Sequence, residues 1–307
     1  MSAEPTGDGS AELQVVADDI RQEWRRAGLS GGFLARHLDS SEQLGFEVDR
    51  AVPLASVAKV PLALVAYDQI VAGQLDPAQP VELRPEERTL GPTGLSLFEH
   101  PCTVAVGDLI TMALAVSDNA ATDALMRFVP PAEVTRRMRQ WGWHDITLRH
   151  HIHELNTAVA DLPDHVRSQL RELAVRAATG GGGHVVPQLD TSHANTGTAA
   201  ALVRLLEAVW TDRVSVPAAT ARLRRTMAHQ PSHRRLGAEL ISDLTSVVGK
   251  TGTFLNLRHE IGVVTTADGD RVAVAALTVS SVPAGEQPEV DAAIGAAARV
   301  AVEALTR

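Results

Sequence analysis

Strand-like patterns lie at both ends of this 307-residue chain, while the stretch between them is mostly helical in its spacing. Near the start, Gly32 to Asp39 and Leu44 to Val48 read as two strands separated by the polar turn signal Ser40-Ser41-Glu42. Near the end, Val247 to Phe254, Ile261 to Thr266 and Val272 to Ser280 are β-rich, with Ala267-Asp268-Gly269-Asp270 marking a tight turn. The simplest assembly pairs these terminal strands into one antiparallel sheet, which draws the chain ends together. Both alternating sets of Val272 to Val279 are largely apolar, so this strand is expected to be covered on both faces. Helical patterns at Ala11 to Ala27 (Leu13, Val16, Ile20, Trp24) and at Glu289 to Leu305 are expected to pack on the sheet.

In the middle, Val57 to Val71 reads as an apolar helix closed by Gly73. Thr103 to Arg139 is helical apart from a break at Ser117-Asp118-Asn119, and Thr198 to Trp210 and Ala218 to His229 add two more helices. The stretch from Trp141 to Asn195 is too long for an ordinary connection; Asp164 to Ala178 is its helical candidate, and Gly180 to Gly183 reads as a flexible link. The expectation is an α/β (α+β) fold: one unit over residues 1–307, with 11–55 and 246–307 forming an α/β subdomain and 56–245 a mostly helical one. A cleft between such parts is a common ligand site.

Several function classes fall away. A net charge of −9 with no long Lys/Arg cluster repels phosphate backbones, so no nucleic-acid partner is expected. No stretch reaches the ~20 apolar residues that span a bilayer, so no membrane partner is expected either. Met1 to Ser10 lacks the pattern of a secretory leader, which reads as cytoplasmic as written; a secreted protein trimmed of its leader would look the same. Cys102 is the lone cysteine, so no internal disulfide or cysteine metal cage can form; it reads as a small buried hydrophobe.

The chemistry starts at Ser56-Val57-Ala58-Lys59. On a helix, positions i and i+3 share a face, so the Lys59 amine can reach the Ser56 hydroxyl. A partly desolvated lysine with a depressed pKa can take the serine proton. At a helix start, the Ser56 backbone N–H would also lie near a developing oxyanion. Ser117-Asp118-Asn119 falls where a polar loop would enter a cleft. Lys250-Thr251-Gly252-Thr253 lies on an expected strand, where Gly252 leaves room for close backbone approach. Strand alternation puts Lys250 and Thr251 on opposite faces, so both reach a cleft only from an edge strand.

These three motifs, in this order, resemble the Ser-x-x-Lys, Ser-Asp-Asn and Lys-Thr-Gly set of the class A β-lactamases and penicillin-binding proteins. Val104 to Leu114, Thr122-Asp123-Ala124-Leu125 and the strand pair after Lys250 are similar as well, extending the resemblance over about residues 11 to 306. It implies a β-lactamase/transpeptidase-like fold, with an antiparallel sheet flanked by helices plus a mostly helical subdomain. It also implies catalytic roles: Ser56 forms the acyl-enzyme, Lys59 helps deprotonate it, Ser117 relays a proton to the leaving nitrogen, and Lys250 supplies positive charge beside Ser117. Asn119 would bind the substrate amide and Thr251 its carboxylate, with Gly252 on the binding strand and the N–H groups of Ser56 and Thr253 as the oxyanion hole. The expected partner is a small molecule bearing a carboxylate; no cofactor or metal is implied, and the oligomeric state stays open.

The resemblance breaks at one place. Class A enzymes carry a glutamate in a pattern Arg-x-Glu-x-x-Leu-Asn, which holds the water that hydrolyses the acyl-enzyme. Aligning Leu155-Asn156 with that pattern puts Ile152 in the glutamate's place, with Glu154 two residues late. Glu154, His151 or His153 would have to substitute, or ester release is slow. His150, His151 and His153 could alternatively hold a metal or simply pack the loop, and the segment 157–195 looks longer than the family's. Arg258 or His259 reads either as an extra cation for the substrate carboxylate or as surface charge at a strand end. The leading expectation is a β-lactamase-like serine hydrolase. The alternatives are a D-alanyl peptidase, a small-molecule ester or amide hydrolase, and a non-hydrolytic penicillin-binding sensor.

Overall fold

Helix α1 (Gly7–Arg26) leads into β1 (Leu29–His37), β2 (Gln43–Phe46) and the short β3 (Val52–Pro53) in the computed structural model, which describes residues 7–176, 183–184 and 186–307. The middle of the chain holds α2 (Lys59–Val71), β4 (Pro80–Leu83), β5 (Cys102–Ala105), α3 (Val106–Ala115), α4 (Asn119–Met126), α5 (Pro131–Gln140) and α6 (His153–Ala160). It continues with α7 (Asp164–Arg167), α8 (Leu170–Arg176), β6 (Thr196–Gly197), α9 (Ala199–Trp210) and α10 (Pro217–Met227). The chain closes with β7 (Ser246–Phe254), β8 (Leu257–Thr265), β9 (Arg271–Ser280) and α11 (Pro288–Leu305).

The terminal strands form one five-stranded antiparallel sheet in the order β2-β1-β9-β8-β7. Strand β9 lies at its centre, and the alternation seen in its sequence now has two destinations. Val272, Val274 and Ala276 join Trp24 of α1 and Ile294 and Ala298 of α11 in one core. Ala273, Ala275 and Leu277 face the larger core, with Leu64 of α2 and Leu202 of α9. A side chain of either parity is removed from water, which is why both sets are apolar. A third, smaller core joins Leu170, Ala174, Val186 and Leu189 to Leu257, with Ala55 and Phe254 packed against it.

Several boundaries differ from the sequence pattern: β2 ends at Phe46 rather than Val48, and Thr103 to Ala105, expected to be helical, pair as part of β5 with β4. Strand β1 begins at Leu29 rather than Gly32. A Cβ at Gly31 would lie 2.0 Å from the Leu277 carbonyl oxygen, so that glycine permits close pairing instead of breaking the strand. Strand β8 begins at Leu257, because the polar residues Arg258, His259 and Glu260 are buried in the sheet. The helix expected at Asp164 to Ala178 is split into α7 and α8, and residues 177–182, including Gly180 to Gly182, lie outside the described residues. Cys102 is only partly buried, its Sγ accepting from Arg88 Nη2 at 3.4 Å. Among the described residues, no helix is long and apolar enough to cross a membrane.

Candidate active site

Ser56 sits on a tight turn of 3-10 helix, Ala55–Ala58, from which α2 departs at Lys59. Ala55 adopts φ +47°, a left-handed conformation that a residue with a Cβ rarely takes unless its surroundings impose it. The sheet does the imposing. A Cβ at Gly252 of β7 would come within 2.9 Å of Leu54 O and 3.0 Å of Val57 Cγ2. Gly252 thus makes room for the nucleophile's own turn, where the sequence suggested a substrate backbone. From β8, His259 Nε2 donates to Pro53 O at 2.8 Å, while its Nδ1 accepts from Thr278 N at 2.9 Å. That pair of bonds requires the neutral Nε2–H tautomer, and burial lowers its pKa to about 4, so the ring stays neutral.

Lys59 is buried, and its Nζ donates to Ser117 O at 2.7 Å, Asn119 Oδ1 at 3.0 Å and Ser117 Oγ at 3.3 Å. Among the described hydrogen bonds none joins Lys59 to Ser56, which departs from the contact expected of the i, i+3 pair. An ammonium has three donors and no acceptor, and the 117–119 turn offers a full set of oxygens. Desolvation lowers the Lys59 pKa to about 7 against the opposing pull of Asp118 and Asp123, so a neutral amine with a free lone pair is accessible near neutral pH.

Ser117 also has positive φ, +58°, and its Oγ lies 3.0 Å from Lys250 Nζ. The hydroxyl is therefore bracketed by two buried amines. Lys250 is held well below its ordinary pKa, first by burial and then by repulsion from Lys59. Asp118 is fully buried: it caps α4 through Ala121 N at 3.1 Å and accepts Leu95 N at 2.5 Å, which fixes the whole turn. Asn119 Nδ2 donates to Leu90 O at 3.0 Å.

Strand β7 is the sheet edge, which meets the condition for both Lys250 and Thr251 to serve one cleft. Thr251 N donates to Gln230 Oε1 at 2.9 Å, and Gln230 Nε2 donates in turn to Glu260 Oε1 at 3.0 Å. Burial raises the Glu260 pKa to about 7. Arg235 donates to Gly252 O at 3.2 Å, His259 O at 2.7 Å and Thr253 Oγ1 at 2.8 Å, and pairs with Asp291 at 2.7 Å. Gln230, Arg235 and Glu260 escaped the sequence reading. The first two sit in a stretch without periodicity, and the signal for Glu260 was a charge inside a strand pattern.

Ser56, Ser117, Asn119, Thr251 and Thr253 line one cavity of about 230 Å³, closed by Ala55, Pro92, Thr93, Val116, Ile152 and Phe254. No carboxylate lines it among the described residues. Ile152 reaches it as the alignment implied, pinned by its N–H to Asp123 Oδ1 at 2.7 Å. Glu154 turns back to accept His151 N at 2.8 Å, and His153 pairs with Asp123 at 3.2 Å. His150 is buried, its Nδ1 bonded to His151 O at 2.8 Å and its Nε2 accepting Asn195 N at 3.3 Å. None of these four reaches the cavity, and the side chains of Leu155 and Asn156 lie outside the described residues. Among the described residues, no group of three His, Cys, Asp or Glu is arranged to hold a metal. Arg258 and His259 are buried rather than surface charge; Arg258 holds the carbonyls of Leu255, Leu257 and Gly285 at 2.7–2.8 Å.

The model of the Beta-lactamase enzyme family matches residues 15–305. The chain is 45% identical over 294 residues to the beta-lactamase regulatory protein BlaB of Streptomyces cacaoi, covering 92% of this chain and 94% of that protein. It is 30% identical over 159 residues to the beta-lactamase SME-1 of Serratia marcescens, covering 47% and 51% of the two chains. Among solved structures, PBP-A superposes with a TM-score of 0.76 at 18% identity, covering 96% of this chain and 97% of that one. A beta-lactamase from Sphaerobacter thermophilus also gives 0.76, at 20% identity and covering 95% and 97%. At such identities these two structures establish a shared fold, the β-lactamase/transpeptidase-like one.

Proposed function

This chain belongs to the beta-lactamase enzyme family, and we propose that within it Ser56 is acylated by β-lactams or related amides and releases the ester slowly, so that the protein reports on such compounds as a regulator rather than destroying them. One observation carries this reading: Ser56, Ser117, Asn119, Thr251 and Thr253 line the cavity, with the Lys59 and Lys250 amines behind it on Ser117, while Ile152 and no carboxylate among the described lining residues faces them. The 45% identity to a protein named a beta-lactamase regulatory protein supports it.

In this reading, neutral Lys59 takes the Ser56 proton as Oγ bonds to the acyl carbonyl carbon. The oxyanion is met by the N–H groups of Ser56 and Thr253, a contribution typically worth several kcal/mol. As the carbon–nitrogen bond breaks, Ser117 gives its proton to the departing nitrogen and is reprotonated through the amines beside it. Lys250 and Thr251 receive the substrate carboxylate. Hydrolysis of the resulting ester needs a base beside a water, and its lack costs about 10²–10⁴-fold in rate.

A second reading, a hydrolase that turns over, has the partial match to a beta-lactamase behind it. One experiment separates the two. The protein is mixed with penicillin G or a chromogenic cephalosporin, and hydrolysis and intact mass are followed together. A persistent adduct on Ser56 with little turnover is the expected result; rapid turnover without an adduct favours the hydrolase. The adduct should vanish in Ser56→Ala, and its survival there would refute the nucleophile.

A further inference from the structure

We infer that Gln230 and Glu260 are positioning residues for recognition of the donor's carboxylate: the Gln230 amide, oriented by Glu260, holds Thr251 so that its hydroxyl proton passes to that carboxylate. The inference rests on the Ser56 acylation and the Thr251 contact proposed above, and names what prepares that contact.

Glu260 of β8 stands directly opposite Thr251 of β7. Directly paired residues send their side chains to the same face of a sheet, so these two are neighbours there. Gln230, which follows α10, joins them. Its Oε1 accepts Thr251 N at 2.9 Å and Thr251 Oγ1 at 3.4 Å. Its Nε2 donates to Glu260 Oε1 at 3.0 Å and to Ser232 O at 3.3 Å. An amide has two hydrogens and two acceptor sites on its oxygen, and all four are used here. Glu260 is itself fixed, since its other oxygen accepts Leu236 N at 2.7 Å. Both Gln230 and Glu260 are buried.

This arrangement permits one orientation of the amide. Turned over, Gln230 would set its NH2 against the Thr251 N–H and its oxygen against the Glu260 carboxylate and the Ser232 carbonyl. Glu260 and Ser232 O therefore decide that the oxygen faces β7. At Thr251 the two bonds differ. The backbone N–H is held at 2.9 Å, which pins the open edge of β7 next to Thr253. The hydroxyl, at 3.4 Å, is held more loosely than an ordinary hydroxyl bond. Thr251 lines the Ser56 cavity, so a carboxylate there can take the hydroxyl proton for a stronger, charge-assisted bond. The backbone bond to Gln230 survives that exchange, and the strand keeps its place.

The test titrates the full chain with penicillin G and, separately, with its methyl ester, which lacks the carboxylate charge. Adduct formation on Ser56, followed by intact mass, gives a half-saturating concentration and a limiting rate for each. The parent protein is expected to prefer the acid. Gln230→Met should reduce that preference about tenfold, through a higher half-saturating concentration for the acid, the scale of one hydrogen bond to a charged group. Glu260→Leu gives the same readout should the first variant not fold. Glu260→Gln, whose amide oxygen can still accept from Gln230 Nε2, should retain the parent's preference. A parent indifferent to the charge, an unchanged preference in a folded Gln230→Met or Glu260→Leu variant, or acid and ester slowed alike would overturn the positioning role while leaving Ser56 acylation standing. No adduct with either compound in the parent protein would overturn the acylation reading itself and this inference with it.

Discussion

Two walls face Ser56, and each carries several ionisable groups. On the wall made by α2, the 117–119 turn and β7, those groups have partners that point them at one another across the cleft: Lys59 on Ser117 and Asn119, Lys250 on Ser117. On the wall made by residues 149–154, the partners pull them away. Arg149 binds Ala194 O at 2.6 Å and Thr196 Oγ1 at 2.9 Å, Glu154 caps His151, and His153 pairs with Asp123. What remains facing the nucleophile is Ile152. The contrast teaches that counting charges around a serine says little; the hydrogen-bond partners decide which of them can act.

The contrast breaks most violently if its rich wall is emptied. Lys59→Met keeps the length of the side chain and removes the amine. Adduct formation with penicillin G is expected to fall by about 10²–10⁴-fold, the usual worth of a positioned base. A rate near that of the parent protein would mean that the proton leaves Ser56 by another route, and the functional asymmetry of the two walls would be lost.

The contrast should instead narrow if the poor wall is furnished. Ile152→Glu places a carboxylate at a backbone position already pinned by Asp123. The half-life of the Ser56 ester is expected to shorten by about 10²-fold, the low end for a general base, because the surrounding loop was not built to orient it. An unchanged half-life would show that the ester persists for some reason other than the missing base.

How far the sequence could be read follows the same division. The sheet with its covering helices was legible because burial on two faces writes itself into β9 as two apolar parities. The motif residues were legible because their chemistry permits few substitutes. Gly252 was half legible: its small size was noticed, but its neighbour turned out to be the Leu54–Val57 turn. Arg235 and Gln230 left no local trace, since their roles depend on contacts with β7 and β8 that no spacing rule reveals. The loop histidines suggested chemistry by their number, and only their partners show them occupied with packing: His150 with Asn195, His153 with Asp123 of α4.

The gentlest way to sharpen the comparison is pH, which should move one wall and leave the other alone. The Lys59 pKa is lowered to about 7, chiefly by burial, so the neutral amine grows tenfold per unit as pH rises toward 7 and levels above it. Adduct formation should follow that curve, about tenfold slower at pH 6 than on the plateau. Ester release, with no base on the loop wall, should lack the step. Glu260 complicates the assignment, because burial raises its pKa to about 7 as well, and it acts on Thr251 through Gln230. Glu260→Gln removes that titration and keeps an amide in place of the carboxyl. If the step in adduct formation persists in this variant, it belongs to the buried amines on Ser117 rather than to Glu260; if it disappears, β7 rather than an amine sets the pH response, and the acylating wall is governed from behind the sheet.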